Sequence, residues 1–163
     1  MYNKNPIMNM AMNIVQHYNH KSYWRMRDYV VNSGGGVRIL KYIYLFRIKR
    51  MDAYNCASLG THIGFGAQFK DVPYFPHGIR GIFVSDKAVI GKNAIIFHHV
   101  TIGRGSGGSP TIGDNVYIGA GAKIVGKIYI GDNVKIGAGC VISKDIPDNC
   151  TVVMEKPRII CRG

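Results

Sequence analysis

A parallel β-solenoid is the fold class this sequence predicts, and three observations predict it. An aliphatic residue returns every six positions: Val84, Ile90, Ile96 and Ile102, then, after one step of ten, Ile112, Ile118, Ile124, Ile130, Ile136 and Ile142. A glycine often follows at once, as Gly91, Gly103, Gly113, Gly119, Gly131 and Gly137. Four residues beyond the aliphatics comes a second small or apolar residue: Ala88, Ala94, Val100, Val116, Ala122, Ile128, Val134, Cys140 and Ile146. A helix repeats its apolar face near every 3.6 residues and a half-buried strand every 2, so a period of six is neither. It suits a chain coiling with flat sides, each side one short strand with its aliphatic inward and its glycine easing the bend.

The elements follow in order. Residues 1–60 lack the repeat and read as a helical N-terminal region, with helices expected over Met8 to Tyr18 and Val37 to Arg50. Ser33-Gly34-Gly35-Gly36 lies between them as a flexible joint. In the second stretch Ile39, Ile43, Leu45, Phe46 and Ile48 interleave with Arg38, Lys41, Arg47, Lys49 and Arg50. Residues 61–151 are the solenoid. Ile63-Gly64-Phe65-Gly66-Ala67 is a single early repeat, and the regular coils start after Gly81. Residues 152–163 form a C-terminal cap, which a solenoid needs because its last coil has no neighbour to cover it.

Composition sets bounds. With 163 residues and 47% apolar content the chain is one domain with a real core. It has no apolar run long enough to span a bilayer, and Met1 to Asn5 is too polar for a signal peptide. Cys56, Cys140, Cys150 and Cys161 show no CxxC spacing, which reads as reduced thiols in a cytoplasm and no metal site. The net charge is +12, and nine of the 21 basic residues lie in the first 50 positions against one acid, Asp28. A phosphate-bearing small molecule, an anionic membrane surface under the basic, aromatic helix, and a solvated basic face all remain open. Nucleic acid is disfavoured, since no recognised binding module is present.

The repeats Ile118-Gly119-Ala120-Gly121-Ala122-Lys123 and Ile136-Gly137-Ala138-Gly139-Cys140-Val141 resemble those of the hexapeptide-repeat left-handed β-helix acyltransferases. From Pro76-His77-Gly78 to Arg158-Ile159-Ile160 the chain resembles the serine acetyltransferase branch, including relatives that acetylate surface polysaccharides. The resemblance implies the left hand of the helix, about three and a half coils, and a homotrimer with sites between subunits. It also implies acetyl-CoA as co-substrate, no metal, and direct transfer of acetyl to an acceptor hydroxyl.

Such a transfer needs a base at the hydroxyl, and histidine suits because its pKa lies near working pH. His77 lies in Phe75-Pro76-His77-Gly78-Ile79-Arg80-Gly81-Ile82, where Pro and Gly mark an irregular corner, and it resembles the family's catalytic base. His98 follows 21 positions later, near one coil of about 18 residues plus a bulge, so the two rings could line one cleft. His99 is a weaker candidate, His17 and His20 read as bystanders, and His62 is uninformative. By the same resemblance Ala120 and Ala138 let the pantetheine arm approach the backbone, while Ser143, Lys144 and Arg158 meet the nucleotide and its phosphates. Two departures bear on the acceptor. Pro76 stands where the family has an aspartate that holds the amino acid, and the loop Arg104 to Pro110 is short, with Ser109 in place of a histidine. These favour a sugar hydroxyl over L-serine, although Asp71 could replace the lost acid. The expected setting is cytoplasmic, with the inner face of the membrane as a second possibility. A catalytically silent scaffold and a metal-binding trimer are the readings from another class.

Overall fold

The computed structural model describes residues 14–155. Two helices come first, α1 (His20–Asn32) and α2 (Arg38–Tyr54), followed by fifteen short strands. β1 (Thr61–His62) and β2 (Phe65–Gly66) form an antiparallel pair. Three four-stranded parallel sheets then make the flat sides of a solenoid. The first holds β3 (Gln68–Phe69), β6 (Val89–Ile90), β9 (Thr111–Ile112) and β12 (Tyr129–Ile130). The second holds β7 (Ile95–Ile96), β10 (Tyr117–Ile118), β13 (Lys135–Ile136) and β15 (Thr151–Val152). The third holds β5 (Phe83–Val84), β8 (Thr101–Gly103), β11 (Lys123–Val125) and β14 (Val141–Ile142). β4 (Pro76–Ile79) belongs to none of these.

The six-residue beat is the register of these sheets. Ile90 pairs with Ile112 and Ile112 with Ile130. Ile96, Ile118, Ile136 and Val152 stack on the second side, and Val84, Ile102, Ile124 and Ile142 on the third. The isoleucines of these columns are buried, most of them completely, and each stabilises the fold by about 1.5–3 kcal/mol relative to exposure. Single bridges add a rung to each side: Ser58 to Phe83, Tyr74 to Ile95, and Ile146 to Ile130. Each side therefore has five rungs (four strands plus one bridge), more than the three and a half coils expected. Three of the extra rungs precede Gly81, where Ser58, Gln68 and Tyr74 pair with later coils without showing the sequence beat, and two follow Ile142, at Ile146 and β15.

The glycines work differently from the expectation that they ease bends. At one corner the left-handed backbone falls on Asn93, Asn115, Asn133 and Asn149, with φ between 53° and 60°. Each asparagine there donates from Nδ2 to the next one's Oδ1 at 3.0 Å, along steps of 22, 18 and 16 residues. Beside this ladder runs a second one: the amides of Lys92, Asp114 and Asp132 donate to the carboxylates of Asp114, Asp132 and Asp148 at 2.6–2.9 Å. Gly91, Gly113 and Gly131 are glycine because a Cβ would lie 2.2–2.4 Å from that carboxylate or from the backbone beside it. The step of 22 contains the one skipped beat, a small hairpin in which Gly105 and Gly108 pair.

The helices close the upstream end. α1 was not visible in the sequence pattern, because its buried face mixes Tyr23, Trp24, Met26 and Val30 with Arg27. Its start is nevertheless capped by Asn19, whose side chain accepts from the Ser22 amide at 2.9 Å. The Arg27 guanidinium donates to the Ala67 and Leu59 carbonyls and lies over the Phe69 ring at 4.7 Å, pinning the helix to the first coil. The first expected helix, Met8 to Tyr18, lies mostly outside the described residues. The second begins near Val37 as expected and runs on to Tyr54. Between the helices the glycine stretch is held, not free: the Val37 amide donates to the Tyr29 hydroxyl at 2.9 Å, and Lys41 donates to the Ser33 carbonyl.

Between α1 and α2 the buried Asp52 carboxylate accepts from the Tyr23 hydroxyl at 2.8 Å. Burial pushes its pKa up to about 6, against the opposing pull of that hydrogen bond and of Lys49 and Arg27. Because the unfolded carboxyl ionises near 3.8, this group favours the fold fully below that pH, and the benefit is lost as pH rises to 6. The loss is on the order of 3 kcal/mol. Asp52→Asn keeps an acceptor for Tyr23 and removes the titration. Urea midpoints at pH 4 and pH 7 should therefore converge in the variant relative to wild type, and an unchanged pH slope would contradict the assignment.

Candidate active site

Strand register carries directly into one corner of the solenoid. Tyr74, Ile95, Tyr117, Lys135 and Thr151 are successive partners along the second side. Three residues after each stand His77, His98, Ala120, Ala138 and Met154. The backbone confirms the stacking of the later levels, since the Gly121 amide donates to the His98 carbonyl at 3.0 Å and the Gly139 amide to the Ala120 carbonyl at 2.8 Å. The corresponding His99 amide donates to the Arg80 carbonyl at 3.0 Å and not to His77. Three of the residues expected to act in catalysis or coenzyme binding, His98, Ala120 and Ala138, thus form one column, and the His77 ring meets its upstream end. Side-chain size changes along it, from an imidazole ring to two methyl groups.

The two rings meet. His77 and His98 have centroids 5.3 Å apart at 75°, and His99 stands 5.4 Å from His98 at 79°. His77 is exposed and sits on β4, a short strand, rather than in the irregular corner expected from its Pro and Gly neighbours. Both descriptions share a cause: Gly78 has a left-handed φ of 70°, and its amide closes a tight turn onto the Phe75 carbonyl. Phe97 supports the pair, edge-on to His77 at 5.7 Å and tilted against Tyr117 at 5.1 Å. His98 is half-buried, and its Nδ1 is shut away from solvent with no hydrogen-bond partner. Buried polar atoms are normally paired, so this nitrogen is unspent bonding capacity at the corner.

His99 occupies the left-handed position that Gly121 and Gly139 fill in the later coils, with φ of 58° against 70° and 71°. Its ring lies over Gly81, where a Cβ would be 2.2 Å from Nδ1. A side chain at a positive φ costs about 1–2 kcal/mol relative to glycine, although histidine is among the residues that adopt it more often than most. The sequence marks His99 only as a weaker candidate beside His98. The match of His99 with Gly121 and Gly139 becomes visible only once the coils are aligned by pairing.

The other candidates lie apart. Ser143 and Lys144 are exposed at the next corner of the last full coil, separated from Ala138 by β14. Arg158 lies outside the described residues, as do Lys156, Pro157 and most of the expected cap. Asp71 is exposed, and its carboxylate accepts from the adjacent Val72 amide at 2.7 Å. The Ser109 hydroxyl bonds that of Ser85 at 2.8 Å. His17 stacks on Tyr54, and His62 stacks on Phe65. Partial burial lowers the His20 pKa; its ring bonds the Tyr18 hydroxyl and lies edge-on to Phe75. Among the described residues no three histidine, cysteine or carboxylate side chains are grouped to hold a metal ion.

Residues 109–144 match the sequence profile of the family described as Bacterial transferase hexapeptide (six repeats). A serine acetyltransferase of Synechococcus elongatus is 41% identical over 109 residues, covering 64% of this chain and 44% of the relative. One from Helicobacter pylori is 38% identical over 108 residues, covering 63% and 62%. Serine acetyltransferase of Neisseria gonorrhoeae superposes with a TM-score of 0.67 at 27% identity, covering 93% of this chain and 60% of that one. The soybean enzyme complexed with serine gives 0.60 at 36% identity, covering 74% and 49%. Over about two thirds of its length the chain is similar to serine acetyltransferases, and its residues 109–144 carry the hexapeptide-repeat transferase profile. Its solenoid is the left-handed β-helix of those enzymes. The chain spans under half the length of the cyanobacterial relatives it matches. The expected closeness to polysaccharide O-acetyltransferases finds no support in these relatives, all of which are serine acetyltransferases.

Because glycine fills the equivalent corner three times, as Gly81, Gly121 and Gly139, His99→Gly should fold with a stability within about 1 kcal/mol of wild type, relief of strain offsetting the entropy of the added glycine. Gly81→Ala should cost more, since its Cβ runs into the His99 ring. Urea denaturation of both variants checks this, and a large loss in His99→Gly would show that the ring holds the fold.

Proposed function

We propose that this chain is an acetyl-CoA-dependent O-acetyltransferase that moves the acetyl group directly to an acceptor hydroxyl. The observation that carries the reading is the single corner column of His98, Ala120 and Ala138, with the His77 ring against its upstream end. In this reading His77 takes the proton as the hydroxyl oxygen attacks the thioester carbonyl. The C–S bond then breaks, and the imidazolium returns the proton to the departing thiolate. General-base assistance of this kind contributes about 10²–10⁴-fold. His98, 5.3 Å from His77, orients the acceptor or the first ring. The methyl-sized side chains of Ala120 and Ala138 leave the strand backbone open to the amides of the pantetheine arm, and the basic Lys144 corner, with Arg158, suits the phosphates.

L-serine is the acceptor supported by the relatives, every one of them named here a serine acetyltransferase. One specific observation favours a second reading, a sugar hydroxyl. Pro76 precedes His77 where an acid would hold the amino group, and Ser109, where a histidine would stand, is already bonded to Ser85. Mass spectrometry of acetyl-CoA mixtures with L-serine and with monosaccharides separates the two. Dominant O-acetylserine supports the first reading. A sugar ester formed about a hundredfold faster supports the second, as expected from a missing charge-paired contact.

His77→Ala should cut the chemical step by roughly 10²–10⁴ while calorimetric affinity for coenzyme A barely changes. Full turnover of that variant at saturating acceptor would move the base to His98 or His99. Ala138→Trp should abolish coenzyme binding while leaving the circular dichroism spectrum unchanged, because the added ring projects from a corner outside the core.

A further inference from the structure

Helix α2 shows solvent its apolar side. Its inner face buries only Ile48 and Asp52. Its outer face presents Ile39, Tyr42, Ile43 and Phe46, which are 70%, 58%, 49% and 69% exposed. Their spacing of i, i+3, i+4 and i+7 places all four on one stripe. At 100° per residue, Arg38 and Lys49 flank the stripe on one side and Arg47 on the other, while Arg50 continues it one turn beyond Phe46. The one ion pair among the described residues is Lys70 with Asp114, so none of these four cations forms an ion pair there, and only Lys49 feels a nearby carboxylate, Asp52.

The chemistry of the stripe narrows what can cover it. A second copy laid face to face would set two identical rows of cations against each other. An ordinary apolar partner would leave the flanking guanidinium groups without counter-charge. A surface apolar at depth and anionic at its rim meets both demands, with aliphatic and aromatic groups in the acyl boundary and basic groups among phosphates. The helix is too short and too charged to cross a bilayer, and no helix among the described residues is long and apolar enough to do so. We propose that α2 lies flat in the headgroup region of an anionic phospholipid membrane, seated by Ile39, Tyr42, Ile43 and Phe46 and held by Arg38, Arg47, Lys49 and Arg50. This rests on the helix alone and is independent of the transferase chemistry.

Flotation of the full chain with vesicles tests it, using phosphatidylcholine alone and phosphatidylcholine containing phosphatidylglycerol. Wild type should float with the anionic vesicles only, and less so as salt is raised. Arg47→Glu/Arg50→Glu and Ile39→Glu/Phe46→Glu should each lower binding by at least about tenfold, with thermal midpoint and light-scattering mass unchanged. Wild type failing to float, or the variants floating equally, would overturn the proposal. A smaller mass for Ile39→Glu/Phe46→Glu would instead assign the stripe to an interface between copies. A fall in its thermal midpoint would assign the stripe to cover by another part of this chain. Either result overturns it as well.

Discussion

Isoleucine stacked on isoleucine is the constraint on which the rest of this protein depends. Each inward side chain rests on its counterpart one coil away, and strands of two or three residues are too short to hold register by themselves. Slipping one strand by a single residue would turn its isoleucine outward and its polar neighbour into the core. The Asn and Asp ladders at one corner resist the same slip with directional hydrogen bonds, linking the coils through Asn93, Asn115, Asn133 and Asn149. Apolar columns and polar ladders therefore specify one alignment together.

That alignment builds the candidate site at no further cost in tertiary folding. A solenoid repeats its corner geometry, so a residue substituted at the same corner of successive coils produces a vertical row of side chains. Here the row changes from His98, with the His77 ring against it, to Ala120 and Ala138, placing rings beside an open strip of backbone. The strain at His99 and the unpaired Nδ1 of His98 fall in the same few residues. At the same corner of the other coils stand Cys56, also at a positive φ, and Gly81, Gly121 and Gly139.

The N-terminal helices follow another rule. α1 closes the stack with a buried arginine whose hydrogen bonds satisfy carbonyls of the first coil. α2 covers little and exposes much, so packing among the described residues does not explain its apolar stripe.

The sequence by itself determined the solenoid, because a six-residue period cannot be satisfied by a helix or a simple strand. It also determined which aliphatics point inward, and that His77 and His98 lie about one coil apart. Tertiary structure decided what periodicity cannot encode. The first rungs, at Ser58, Gln68 and Tyr74, are held by pairing with later coils, so their residues need not keep the beat. Helix α1 hid because Arg27 is polar by type and is buried only through the partners the fold supplies. The glycines after the isoleucines look like bends in a list of residues, yet Gly91, Gly113 and Gly131 are made necessary by a carboxylate from the following coil. The match of His99 with Gly121 and Gly139 exists only across coils whose lengths differ, where hydrogen bonding rather than counting sets which residues are neighbours.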